Sequence, residues 1–204
     1  MNVMKDAKNI IAEALDVLKK GGVILYPTDT VWGLGCDATD PEAVEKIYRI
    51  KNRPDSKSLV LLASDLDMVA RYVKAIPEMA VQLVEVNDRP MTIIYPDAIA
   101  AAAGEPADRH CLAHNVVAED GTVGIRIPMM DFCVELVRRL GRPIVSTSAN
   151  ISGEPTPKKW SEISAAVKDA VDYTVDPSLE SGATGQSSSI IKVGLDSTIQ
   201  IIRK

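Results

Sequence analysis

Four consecutive apolar residues, Val23-Ile24-Leu25-Tyr26, stand between Gly21-Gly22 and Pro27. A short run without polar alternation reads as a strand buried on both faces, and such a strand needs helices or other elements to cover it. Cover is available just before it. Residues 6–20 place Ile10, Ile11, Ala14, Leu15 and Leu18 at helical spacing, and the glycine pair accepts the left-handed conformation that follows many helices. The alternation then continues along the chain. Asp40-Pro41-Glu42 combines a capping carboxylate, a first-turn proline and an acid near the positive end of a helix. Val44, Ile47 and Tyr48 form the inner face of that helix, and Pro54 closes it. Further strands are expected at 59–63, 91–95, 123–127 and 143–147, and further helices at 64–74, 77–86, 131–140 (capped by Asp131 and ended by Gly141) and 157–167. Residues 98–103 are alanine-rich and offer a helix, whereas 104–121 reads as an irregular loop. Strand patterns at 173–175, 189–193 and 198–202 close the chain without intervening helices. The class is therefore α/β, with a mixed sheet in one domain over residues 1–204.

The composition narrows the function classes. With 46% apolar and 25% charged residues over 204 positions, the chain has the make-up of a soluble globular domain. The formal net charge of −5 argues against a broad, sequence-independent nucleic-acid footprint. The 4% aromatic content argues against base-stacking platforms. Three widely spaced cysteines, Cys36, Cys111 and Cys133, do not form a disulfide framework, so a reducing, cytoplasmic setting is expected. No apolar run reaches membrane-spanning length, and the N-terminal stretch lacks a signal core, so no membrane partner is expected. His110, Cys111 and His114 cluster, but three ligands at this spacing match no zinc pattern, so no protein-built metal site is expected. The sequence contains neither a Gly-Lys-Ser/Thr phosphate loop nor Gly-x-Gly-x-x-Gly, and it lacks a Gly-x-Ser-x-Gly elbow.

Four polar constellations remain. Pro27-Thr28-Asp29-Thr30-Val31-Trp32-Gly33-Leu34-Gly35 follows the first buried strand, where α/β sheets bind ligands. It can equally be a turn in which Thr28 and Asp29 satisfy their own backbone. Lys51-Asn52-Arg53-Pro54-Asp55-Ser56-Lys57 gathers three cations at a helix end. They complement the helix dipole or, with an arginine fork and mobile lysines, hold a triphosphate. Gly124-Ile125-Arg126-Ile127-Pro128 alternates, so Arg126 points away from Ile125 and Ile127. It is either a surface arginine or a clamp for a carboxylate in a cleft. Ser146-Thr147-Ser148-Ala149-Asn150-Ile151-Ser152-Gly153 offers hydroxyl and amide donors of small volume after a buried strand.

In joint order and spacing, these motifs, with Ser188-Ser189-Ile190-Ile191, resemble the YrdC (TsaC) family of L-threonylcarbamoyladenylate synthases in its short form, over roughly residues 8–203. The resemblance implies an α/β fold with a twisted, mixed sheet, flanking helices and a deep concave cleft. It implies a nucleotidyltransferase that converts L-threonine, bicarbonate and ATP to threonylcarbamoyl-AMP and pyrophosphate. Partner proteins would then pass the threonylcarbamoyl group to adenosine 37 of tRNAs reading codons that start with A. Members also bind double-stranded RNA. Lys51, Arg53, Ser148 and Asn150 match the family's central polar tetrad. Arg53, Lys57, Thr122, Ser148, Thr156 and Arg203 fall at its ATP contacts, and Thr30, Arg126, Ser146 and Ser188 at its threonine contacts, with Thr28 in the same loop. In such a reaction Lys51 and Arg53 would hold phosphates, Arg126 would pair with the threonine carboxylate, and Mg²⁺ would be carried mainly on ATP phosphate oxygens.

The sequence departs from the family pattern in four places. Asp88-Arg89-Pro90-Met91-Thr92 stands where Pro-Gly-Pro commonly precedes the threonine. Leu62 stands where some members have histidine, the late pair is Ser188-Ser189, and 104–121 is longer than usual. Two other readings are a non-catalytic module for tRNA or double-stranded RNA, which needs a continuous basic face, and a carbamoyl-transfer module like the related domain of hydrogenase maturation proteins.

Overall fold

The computed structural model describes residues 3–52, 59–106 and 108–204. Pro54, expected to end the second helix, lies outside them. Helix α1 (Val3–Lys19) buries Ile11, Ala14, Leu15 and Leu18 and packs against α5 (Asp131–Leu140). Helix α2 (Pro41–Lys51) starts where the Asp40 carboxylate accepts the N–H groups of Glu42 and Ala43, and it stops at Asn52, whose φ of 48° is left-handed. Helices α3 (Leu66–Ala70), α4 (Glu78–Val86) and α6 (Ala165–Asp169) are shorter.

The strands are β1 (Ile24–Tyr26), β2 (Gly33–Gly35), β3 (Val60–Leu62), β4 (Met91–Tyr95), β5 (Val123–Arg126), β6 (Ile144–Ser148), β7 (Tyr173–Thr174), β8 (Ser189–Val193) and β9 (Ile199–Arg203). Among the described residues they form one nine-stranded sheet in the order β7-β1-β2-β6-β3-β5-β4-β8-β9. The pairs β1–β7, β3–β5 and β4–β8 are parallel and the other neighbours antiparallel, so the sheet is mixed, as the strand-rich end of the sequence implies. Buried residues from α1, α2, α5 and strands β1 to β6 belong to one hydrophobic cluster.

Several expected elements differ in the structure. The strand β2 is Gly-Leu-Gly, a composition with little strand preference of its own. Packing requires glycine at position 35: a Cβ there would lie 2.7 Å from the Tyr26 ring and 2.9 Å from the Val145 carbonyl oxygen. The helix expected at 157–167 is split. A single 3₁₀ turn covers Trp160–Glu162, and Ser164, extended, then caps α6 by accepting the Val167 N–H. The helix expected at 64–74 shrinks to Leu66–Ala70, capped by Asp65. Asp131 is the first residue of α5 rather than its cap, which is Met130. Residues 98–103 form no helix, because their backbone is taken elsewhere: Ile99 N–H bonds Tyr72 O at 2.9 Å and Ala101 N–H bonds Leu112 O at 2.9 Å. The stretch 104–121 is anchored by buried Leu112, Ala113 and Val116.

Candidate functional site

A cavity of about 260 Å³ opens where the segment after β1 meets the C-terminal end of β6, the N-terminal end of β8 and the end of β9. Thr28, Thr30, Arg126, Ser146, Ser148, Ser188 and Arg203 line it, together with Val31, Trp32, Gly33 and Ser187. Register explains the convergence. Gly33 on β2 faces Ser148, and Val60 on β3 faces Ser146, so the polar end of β6 lies between two strands.

Arg126 ends β5 and is 3% exposed. That excludes the surface arginine considered from the sequence. Its Nη1 donates to Asp29 Oδ1 at 2.5 Å, and Asp29 Oδ2 accepts the Met129 N–H at 3.1 Å. A buried charge must be paired, and removing one partner strands the other. The pair leaves further N–H groups of the guanidinium fork for a ligand, since arginine carries five donors.

The hydroxyls are also oriented. Thr28 Oγ1 donates its one proton to Val31 O at 2.7 Å. The 2.8 Å contact between the Thr28 and Thr30 hydroxyls is therefore donated by Thr30, whose oxygen remains an acceptor. Buried Thr92 and Ser188 share a 2.8 Å hydroxyl contact, and Arg203 Nε donates to Ser188 O at 2.9 Å. The segment before Ser188 is tied to the same loop: Thr184 N–H bonds Asp29 O at 2.9 Å and Gly185 N–H bonds Thr30 O at 2.8 Å.

Lys51 stands behind this wall. It is 2% exposed, and its Nζ donates to Ser148 O at 2.5 Å and to Asn150 O at 2.7 Å. Its ammonium thus shapes the Ser148–Asn150 turn. Asn150 Nδ2 donates to Ile151 O and Glu154 O, while Asn150 Oδ1 and the indole N–H of Trp32 are buried with no hydrogen-bond partner among the described residues. Two buried groups near the cavity are unsuited to nucleophilic work: burial pushes the Cys133 thiol and the Tyr26 phenol far above their ordinary values.

The remaining expected residues separate. Thr122 does not line the cavity; its hydroxyl donates to Asp120 Oδ1 at 2.6 Å. Thr156 is exposed and also away from the lining. Arg53 and Lys57 lie outside the described residues. Leu62 is wholly buried in β3 and is not part of the lining. Asp29 and Thr92 fall within the segments singled out in the sequence, Pro27–Gly35 and Asp88–Thr92, but their pairings with Arg126 and Ser188 do not show there. Among the described residues, no group of three or more His, Cys, Asp or Glu could hold a metal ion, and no helix is long and apolar enough to cross a membrane.

A family model described as "Telomere recombination", taking in Sua5, YciO and YrdC, matches residues 16–204. A Stenotrophomonas maltophilia (strain K279a) protein named threonylcarbamoyl-AMP synthase is 34% identical over 181 residues, which covers 87% of this chain and 90% of that one. The crystal structure of P. abyssi Sua5 complexed with L-threonine aligns with a TM-score of 0.74 at 28% identity, over 90% of this chain; the chain spans half of that protein's length. The crystal structure of E. coli YciO aligns with a TM-score of 0.72 at 27% identity, over 96% of this chain and 89% of that one.

Proposed function

The chain belongs to the Sua5–YciO–YrdC family, and on that premise we propose that it is a threonylcarbamoyl-AMP synthase, working as one domain in the cytoplasm and supplying partner proteins that modify tRNA. The observation that carries this reading is Arg126, buried and held by Asp29 at the edge of a hydroxyl-lined cavity. Such a fork suits the carboxylate of an amino acid. The acceptor oxygen of Thr30 suits its ammonium or amine, and the Thr92–Ser188 pair fixes a further hydroxyl. The relative from P. abyssi was crystallised with L-threonine, which is the ligand these groups fit.

In the reaction, the threonine amine bonds the bicarbonate carbon and water leaves, giving a carbamate. A carbamate oxygen then bonds the α-phosphorus of ATP. The bond from that phosphorus to the α–β bridging oxygen breaks, and pyrophosphate departs with the electron pair. No protein nucleophile is needed, so the chain's work is positioning and charge stabilisation. Arg126 and Thr30 hold threonine. Ser146 and Ser148 face the reacting centre, and Arg203 draws the nucleotide across the mouth of the cavity. Lys51 and Asn150 keep the Ser148 turn in shape, and Arg53 and Lys57 supply further phosphate contacts. Asp29, the carboxylate beside the cavity, is engaged by Arg126 and Met129 N–H, which fits Mg²⁺ carried on the phosphates rather than in a protein cage. When bound, the ion neutralises the charge of the departing pyrophosphate.

The test is pyrophosphate release from the purified chain with ATP, L-threonine and bicarbonate. Release that requires all three is the expected result. Release that persists when threonine is omitted overturns the proposal.

A further inference from the structure

A second concave site lies at the other end of β6 from Ser146–Ser148. Lys19 at the end of α1, Arg71 after α3, Arg109 and His110 from the 104–121 stretch, and Arg142 just before β6 surround a pocket of about 490 Å³ floored by Leu140 and Gly141. Among the described residues no aspartate or glutamate lines it, and Arg142 alone of the four cations has a carboxylate partner, Asp37, behind the pocket. Four cations from four separate segments thus share one pocket in a chain whose formal net charge is −5. Gathering like charges raises the folded-state energy unless an anion sits among them.

Part of the cluster is already oriented. Arg71 Nη1 donates to Gly141 O at 3.3 Å, and its guanidinium lies 6.0 Å from the Tyr72 ring centroid. The Tyr72 hydroxyl donates to Arg109 O at 2.7 Å, which fixes the backbone of Arg109 beside it. Arg142 Nη2 lies 3.0 Å from Asp37 Oδ2, while its Nε is buried without a hydrogen-bond partner among the described residues. The neighbouring Arg138 and Arg139 are turned to Glu135 and take no part.

We infer that this pocket binds a compact oligophosphate anion, separately from the threonine cavity. The exposed forks of Arg71 and Arg109 and the Lys19 ammonium, with Arg142 beside them, match several phosphate oxygens held close together. The cations converge on one pocket instead of tracking along a face, and among the described residues no Phe, Tyr or Trp lines it for a base to stack on. Both points favour a compact anion over single-stranded nucleic acid.

The experiment is calorimetric titration of the intact chain with tripolyphosphate, repeated on the Arg71→Ser/Arg109→Ser double variant and on Arg126→Ala. Both outer side chains belong to exposed residues. The double variant should bind at least about tenfold more weakly, the worth of one lost charge-assisted contact. Its thermal midpoint and its threonine-dependent pyrophosphate release should match the parent, and Arg126→Ala should retain the outer binding. If the double variant melts early, Arg109→Ser alone carries the comparison. ATP competing with tripolyphosphate for the outer site supports the inference, because the phosphates are the part recognised. Undiminished binding in the double variant overturns it, as does a loss seen only in Arg126→Ala. A double variant that loses duplex RNA but keeps tripolyphosphate also overturns it, and assigns the cluster to a nucleic-acid backbone instead.

Discussion

Two groups of cations in this chain are built from the same residue types in opposite settings. Lys51 and Arg126 are 2% and 3% exposed, and each is held by buried oxygen atoms: two carbonyls for one, the Asp29 carboxylate for the other. Lys19, Arg71 and Arg109 belong to exposed residues around an open pocket. The interior cations are part of the fold before any ligand arrives, so their substitution disturbs stability and binding together. The outer cations can be removed with little effect on the fold, so their substitution reads binding alone. The difference separates positions where the fold orders a charge in advance from positions where a ligand must order it.

The sharpest way to break this contrast is Arg126→Ala. It leaves Asp29 buried without its cation, and about 3–5 kcal/mol of stability should go, together with threonine-dependent pyrophosphate release. Urea unfolding and the release assay would check this; a variant as stable as the parent would sink the interior assignment. Next is Lys51→Ala, which strips a charged donor from the Ser148 and Asn150 carbonyls and should cost about 3 kcal/mol. Pyrophosphate release should fall as well, since the turn bearing Ser148 loosens. Thr92→Val removes one partner of the Ser188 hydroxyl and should cost about 1 kcal/mol. Its expected signature is a raised KM for threonine with kcat for ATP-saturated turnover little changed.

The smallest effect belongs to the exposed pair of Asp120 and Lys192, 2.7 Å apart. Hydrogen bonds from Lys192 and Thr122 draw the Asp120 carboxyl down to about 2. The pair therefore contributes above the ordinary carboxylate pKa of about 4 and loses that contribution as the pH falls through about 2. Solvent screening limits it to about 0.5 kcal/mol, so Asp120→Asn at neutral pH should barely move the melting midpoint.

The sequence was most legible where one local cause decides the structure. The apolar runs of β4 and β8 and the Asp40-Pro41 start of α2 match their expected positions. It was least legible where a distant partner decides. β2 exists because the Tyr26 ring and the Val145 carbonyl leave room only for glycine at position 35. Residues 98–103 have the composition of a helix, yet Tyr72 and Leu112 claim their backbone groups. The site followed the same division. Clustered small hydroxyls and a strand arginine marked the cavity, but the Asp29–Arg126 pairing spans 97 positions and has no local trace. The charged neighbours of Lys51 mark it in the sequence, whereas the Ser148 and Asn150 carbonyl oxygens that its ammonium meets are set by the three-dimensional path.

Lys51 also grips the cavity wall with its main chain, since its own carbonyl accepts the Ser152 N–H at 2.8 Å while its side chain holds Ser148 and Asn150. The turn is thus fastened to the last residue of α2 at three points. The stretch from Ser148 to Ser152 and the end of that helix then open to solvent as one cooperative unit. The Ser152 amide should accordingly exchange its hydrogen at the pace of the last turn of α2 instead of the faster pace of an ordinary surface loop, and a ligand that slows one should slow the other.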